Sequence, residues 1–138
     1  MRQLADTSAW TASRRGPEVR SVFGELLEAG AIACCDPVEC ELLLEAQDGT
    51  ELARRRAELA HLRRCPTSER EWRRALDVMH SLADRGPLHH RQVPIIDLLV
   101  AAAAERAEVS VLHYDAHFDL IAEVTGQPVR AIAPLGTL

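Results

Sequence analysis

The chain has no lysine: all 16 residues in its lysine-plus-arginine count are arginines. That absence bears on function. Phosphoryl-accepting receiver domains and haloacid-dehalogenase-type phosphatases both set a lysine beside their carboxylates, so both are disfavoured. The phosphatase pattern also wants a second aspartate two residues after the first, and here Ser8 follows Asp6. Long apolar runs are missing as well. None approaches the roughly 20 residues that a bilayer demands, and Met1-Arg2-Gln3-Leu4-Ala5-Asp6 has no signal-peptide pattern. No membrane association is expected, and the cytoplasm is the expected compartment. Cysteine is sparse, with four residues at positions 34, 35, 40 and 65. They show no metal-finger spacing and read as reduced thiols. There is no phosphate-cradling glycine loop, no serine elbow, no internal repeat and no low-complexity segment. Positive charge is also in deficit: the net charge is −5 and the pI about 5.7. A generally basic nucleic-acid binder is therefore disfavoured, although a local basic groove is compatible with that balance.

What is present is an ordinary globular balance, 47% hydrophobic and 27% charged over 138 residues. That suits one domain, 1–138, with a sizeable core. Short apolar runs alternate with helical patterns. Residues 2–5 are a strand candidate, followed by a helix capped within Asp6-Thr7-Ser8 and containing Trp10. Gly16-Pro17 opens a helix that Gly30 closes. Ala31 to Cys35 reads as a buried strand. Asp36 suits an N-cap, with Pro37 first in the helix and Glu39 completing a capping box. Thr50 is expected to cap a helix over 51–64, and Cys65-Pro66 is a short link or minimal strand. A long helix runs from Thr67 or Ser68 to about Arg85, with Trp72, Leu76, Met79 and Leu82 as its inner stripe. Gly86-Pro87 breaks it, and a polar loop follows at His89-His90-Arg91-Gln92. The Asp97 helix comes next, then the clearest strand, Val109 to His113. A short helix over 116–124 and an edge strand at Val129 to Ile132 complete the pattern. Alternating strands and helices predict an α/β fold with a mainly parallel sheet covered on both faces.

In such sheets the functional crevice lies beyond the carboxyl ends of the strands. Asp6 and Asp115 each follow a strand directly, and Glu41 lies one helical turn after another. Asp97 opens the helix that leads into the clearest strand, within Ile95-Ile96-Asp97-Leu98-Leu99. A lone carboxylate in that apolar setting caps its helix, pairs with a cation or holds a metal. Each acid has a plain structural alternative: N-caps for Asp6 and Asp115, a helix-dipole partner for Asp97, and an arginine of the 51–64 helix for Glu41. Several carboxylates at one edge repel each other unless a hard divalent cation neutralises them, and oxygen ligands suit Mg²⁺ or Mn²⁺. Such sites serve phosphodiester cleavage. Arg14, Arg15 and Arg20 follow Asp6 closely enough to steer a phosphate backbone toward it.

Four stretches, in order, carry a resemblance: Asp6-Thr7-Ser8-Ala9, Glu41-Leu42-Leu43, Pro94-Ile95-Ile96-Asp97-Leu98-Leu99-Val100-Ala101-Ala102, and Val111-Leu112-His113-Tyr114-Asp115-Ala116-His117-Phe118-Asp119. Together they resemble the PIN-domain family over nearly the whole chain, closest to VapC-type toxins of toxin–antitoxin pairs. The resemblance implies a three-layer α/β/α domain that cleaves RNA with Mg²⁺ or Mn²⁺. It also implies dimerisation and inhibition by a cognate VapB-type antitoxin whose C-terminal segment covers the active-site groove. The family's acidic quartet falls on Asp6, Glu41, Asp97 and Asp115, as both catalytic and metal-binding residues. Asp6 and Asp97 would be the main ligands; Glu41 and Asp115 would complete the shell or orient water. Ser8 matches the small hydroxyl residue that supports the first aspartate. The family often has a further acid two residues after the fourth quartet member, where this chain has His117. The alternative to an endoribonuclease is a PIN-like module with a decayed site, kept for protein association.

Overall fold

A computed structural model describes residues 1–138. Its strands are β1 (Gln3–Ala5), β2 (Ile32–Cys34), β3 (Arg63–Arg64), β4 (Ser110–His113) and β5 (Val129–Ala131). They form one all-parallel sheet in the order β3-β2-β1-β4-β5. Its helices are α1 (Thr7–Ala12), α2 (Pro17–Glu28), α3 (Asp36–Leu43), α4 (Gly49–Leu59), α5 (Glu69–Asp84), α6 (Ile95–Ala107) and α7 (His117–Thr125), with a 3₁₀ turn at His89–Gln92. None is long and apolar enough to cross a membrane.

Strand side chains alternate between the two faces. Leu4, Ala33 and Val111 join a core with Val38, Val78, Leu82, Leu98, Leu99, Phe118 and Ile121, from α3, α5, α6 and α7. Ala5, Ile32 and Leu112 pack with Ala9 and Phe23, from α1 and α2. This is the three-layer arrangement. The alanines Ala101 to Ala104 are all buried, and their small side chains let α6 lie close against its neighbours. The cysteines are all free, and burial pushes the Cys34 and Cys35 thiols up to about 11 and about 12, so neither is a nucleophile at neutral pH.

Several local expectations are corrected. The N-cap of α3 is Cys35, and no capping box forms there. Glu39 instead accepts from Arg64 at 2.6 Å, because β3 brings that guanidinium alongside. Asp48, not Thr50, caps α4 by accepting from the Glu51 N–H at 2.8 Å, and α4 stops at Leu59. The minimal strand is Arg63–Arg64, set by backbone pairing with Ala33 and Cys34. In α5 the inner stripe is Glu71, Ala75, Val78 and Leu82, while Trp72 and Leu76 are 51% and 54% exposed. Both stripes have helical spacing; the difference is that Glu71 finds partners that make its burial tolerable, Ser68 and Arg106.

Candidate active site

The sheet is parallel, so the ends of β1, β2 and β4 share one edge. α6 runs back into β4, which puts its N-terminus at that same edge. Asp6 leaves β1 there, with its N–H bonded to the Leu112 carbonyl at 2.9 Å. Asp6 is 4% exposed. Oδ2 accepts from the Ser8 N–H at 2.9 Å and from Ser8 Oγ at 2.6 Å. Ser8 Oγ in turn accepts from the Tyr114 N–H at 2.9 Å, which ties the end of β1 to the end of β4. Oδ1 is buried and has no partner. Burial raises the Asp6 pKa against the pull of its Ser8 hydrogen bonds, and the Asp115 charge adds to the rise.

Asp97 lies in the first turn of α6 and Asp115 just beyond β4. The Asp115 N–H donates to His113 Nδ1 at 3.1 Å, and Asp115 Oδ1 accepts from the His117 N–H at 3.0 Å. His113 is fully buried, and burial holds its pKa below the ordinary range, so it is a neutral brace for this turn. His117 Nδ1 is 3.0 Å from Asp97 Oδ2 and 3.0 Å from Asp115 Oδ1. One ligand atom from each of Asp97, Asp115 and His117 therefore falls within a 4.8 Å group. Burial first, and the Asp6 charge second, push the Asp97 carboxyl up to about 7, against the opposing His117 contact.

Asp6 and Glu41 stand outside that triangle. Glu41 Oε1 accepts from Thr7 Oγ1 at 2.7 Å, which holds it to the first turn of α1. It does not pair with α4, whose Arg55 is engaged by Glu45 and Glu51. Glu39, the neighbouring acid, is taken by Arg64. Sequence reading did not anticipate Thr7 or His113 as supports. Thr7 was visible only as one of three consecutive capping residues, and the bracing role of His113 depends on a turn that has no pattern of its own.

The residues from 4 to 124 match the family model described as PIN domain. The chain belongs to the PIN-domain family. It is 43% identical over 133 residues to Ribonuclease VapC18 of Mycobacterium tuberculosis, covering 96% of each chain. It is 41% identical over 138 residues to Ribonuclease VapC51 of the same organism, covering 100% of this chain and 98% of the relative. Among solved structures it resembles a chain of VapBC2 from Rickettsia felis bound to a promoter DNA fragment, with a TM-score of 0.71 and 14% identity over 95% of this chain and 98% of that one. It also resembles a chain of VapBC-5 from Mycobacterium tuberculosis, with a TM-score of 0.57 and 25% identity over 94% and 95%. The first likeness shows the fold alone.

The donor set of this PIN domain suits a hard divalent cation. An aspartate oxygen buried without any hydrogen bond is costly in a protein interior. Asp6 Oδ1 is such an atom, and it belongs to a carboxylate whose charge is felt by Asp97.

Proposed function

We propose that this PIN domain is a metal-dependent endoribonuclease, the toxin of a VapBC-type pair, acting through Asp6, Glu41, Asp97 and Asp115. The observation that carries the reading is the buried, unpartnered Asp6 Oδ1 beside an Asp97 carboxyl raised to about 7. Both features describe an edge short of positive charge. Asp6 and Asp97 would hold Mg²⁺ or Mn²⁺, with Asp115 completing the shell. The cation, when bound, would polarise the scissile phosphate and acidify a water. Glu41, fixed by Thr7, would orient the attacking water and accept its proton. Ser8 would hold Asp6 in register with the β4 turn. Arg15 lies over the Tyr114 ring at 5.9 Å, beside Asp115, and offers a guanidinium to an RNA phosphate.

The partner in this reading is a VapB-type antitoxin. The names of the relatives and solved neighbours support it, and so does an apolar groove of about 550 Å³ that begins at Glu41 and is lined by Pro37, Leu44, Trp72, Ile96 and Leu99. The Leu44 and Trp72 side chains are well exposed there and would gain by being covered. A homodimer in the cytoplasm completes the proposal. The rival, a decayed module, draws on His117, an imidazole where the family often has a further acid.

Cleavage of a mixed structured RNA pool tests the choice, run with Mg²⁺ or Mn²⁺, with chelator and with Asp97→Asn. Metal-dependent cutting that disappears in the variant is the expected result. Cutting that survives either chelator or the variant would overturn the assignment. Neither cutting nor Mn²⁺ binding would favour the decayed module.

A further inference from the structure

His117 occupies a position that the acidic quartet does not use, and its setting is unusual. One ring nitrogen, Nδ1, stands 3.0 Å from a carboxylate oxygen of Asp97 and 3.0 Å from one of Asp115. The Asp97 contact is a hydrogen bond to the ring, and Asp115 Oδ1 is held in place by the His117 backbone N–H at 3.0 Å, so the turn itself sets Nδ1 against two carboxylate oxygens. The same separations are those that a shared cation would set among the three ligand atoms. Adjacent donors on an octahedron with ligand distances of about 2.1 Å are themselves separated by about 3.0 Å. The buried, unpartnered Asp6 Oδ1 is an independent sign that this edge is built for positive charge. His113, the other nearby imidazole, is not part of this group: its Nδ1 accepts from the Asp115 N–H, and its Nε2 is buried away from the three ligand atoms.

We infer that His117 Nδ1 is a metal ligand, and that it shifts this site's preference from Mg²⁺ toward imidazole-binding first-row dications such as Ni²⁺. The inference rests on the proposed metal-dependent function and specifies its ion. A neutral nitrogen where an acid would otherwise stand removes one negative charge and one hard oxygen from the site. Mg²⁺ loses most by that exchange, because it depends on oxygen donors. Imidazole suits Fe²⁺, Ni²⁺ and Zn²⁺, whereas Mn²⁺ shares the oxygen preference of Mg²⁺, and affinity at a given site rises from Mn²⁺ through Co²⁺ to Ni²⁺.

Pulsed electron paramagnetic resonance of the Mn²⁺-loaded protein reads the bond directly, without reference to cleavage. A ¹⁴N coupling to Mn²⁺ is expected in the wild type and should be absent in His117→Asp. In competition titrations the ratio of Ni²⁺ to Mg²⁺ affinity should fall in that variant, because an oxygen replaces the imidazole. Because His117→Asp adds charge, His117→Asn provides a neutral control, with far-ultraviolet circular dichroism reporting the fold of both. Should Mn²⁺ bind in an Asp97-dependent manner with no ¹⁴N coupling and an unchanged ratio, the ligand role of His117 is overturned while the metal-nuclease reading stands. Absence of Mn²⁺ binding, or binding indifferent to Asp97→Asn, would overturn both.

Discussion

Two carboxylates lie near opposite ends of α6, the Asp97 side chain 13% exposed and the Glu71 side chain 1%, and their surroundings drive them in opposite directions. At the N-terminal end, burial and the Asp6 charge push the Asp97 carboxyl up to about 7. Beyond the C-terminal end, Glu71 is 1% exposed, and burial alone would raise it too. There the hydrogen bonds win. Ser68 donates both its N–H and its Oγ to Glu71 Oε2, and Arg106, in the last turn of α6, donates to Oε1 at 2.9 Å. The Glu71 carboxyl is held down at about 2. The more deeply buried carboxylate thus carries the settled charge, and the less buried one the unsettled charge. What differs is the supply of donors, and a deficit of donors at a sheet edge is the physical mark of a site that expects something from outside.

Changing Asp97 separates the two ends most sharply. Asp97→Asn should lower RNA cleavage by about a thousandfold, the scale of several kcal/mol of lost transition-state stabilisation. The metal-free variant should nonetheless melt at least as high as the wild type, because an unfavourable buried charge has gone. Calorimetry beside a cleavage assay checks both halves. A variant that loses activity only because it unfolds would break the contrast. At the other end, Arg106→Ala leaves Glu71 short of a partner and should cost about 2 kcal/mol of stability. That is below the usual cost of breaking a buried pair, since the Arg106 side chain is 46% exposed. Cleavage by the folded fraction should be unchanged.

The two groups also predict opposite pH responses in the metal-free protein. Asp97 binds its proton more tightly when folded than when unfolded, so its contribution falls as pH rises from about 4 toward 7. Glu71 binds its proton less tightly when folded, so its contribution is complete above about 4.5 and is lost as pH falls toward 2. Melting temperature against pH should therefore gain a flatter segment between pH 4 and 7 in Asp97→Asn. It should gain a flatter acid limb in Glu71→Gln. Saturating Mn²⁺ should flatten the first segment in the wild type and leave the acid limb alone.

The parts of this contrast were unequally legible in the sequence. The alternation of elements was readable because the short strands are apolar and the helices carry Pro and Gly punctuation, as at Pro17 and Gly126. Parallel topology then put Asp6, Glu41 and Asp115 at one edge, an edge that Asp97 could join from the start of its helix. The strand order is a tertiary outcome, and β3 has no hydrophobic signal at all: Arg63 and Arg64 become a strand by pairing with Ala33 and Cys34. In the first half of α5 the buried face was misplaced by one position because hydropathy favours Trp72 and Leu76 over Glu71, whereas Leu82 is buried as expected. The residue that reverses this, Arg106, lies 35 positions away. His117 was visible as a departure from an acidic pattern, but its equal approach to Asp97 and Asp115 needed coordinates.

The smallest expected effect concerns Glu41, the acid outside the Asp97 triangle. It differs from Asp6 in being held by one long-range hydroxyl contact, Thr7 Oγ1 at 2.7 Å, rather than by its own turn. Thr7→Val keeps the shape of the first turn of α1 and removes that donor. A net hydrogen bond contributes about 1 kcal/mol, so a roughly fivefold fall in kcat is expected from the looser carboxylate. Mn²⁺ affinity should change far less, because Glu41 orients water in this reading while Asp6 and Asp97 hold the ion. Thr7→Ser restores the hydroxyl and should restore kcat. A Thr7→Val variant that lost Mn²⁺ affinity as strongly as kcat would place Glu41 among the principal ligands, and the division between a metal-holding cluster and a separately braced acid would have to be redrawn.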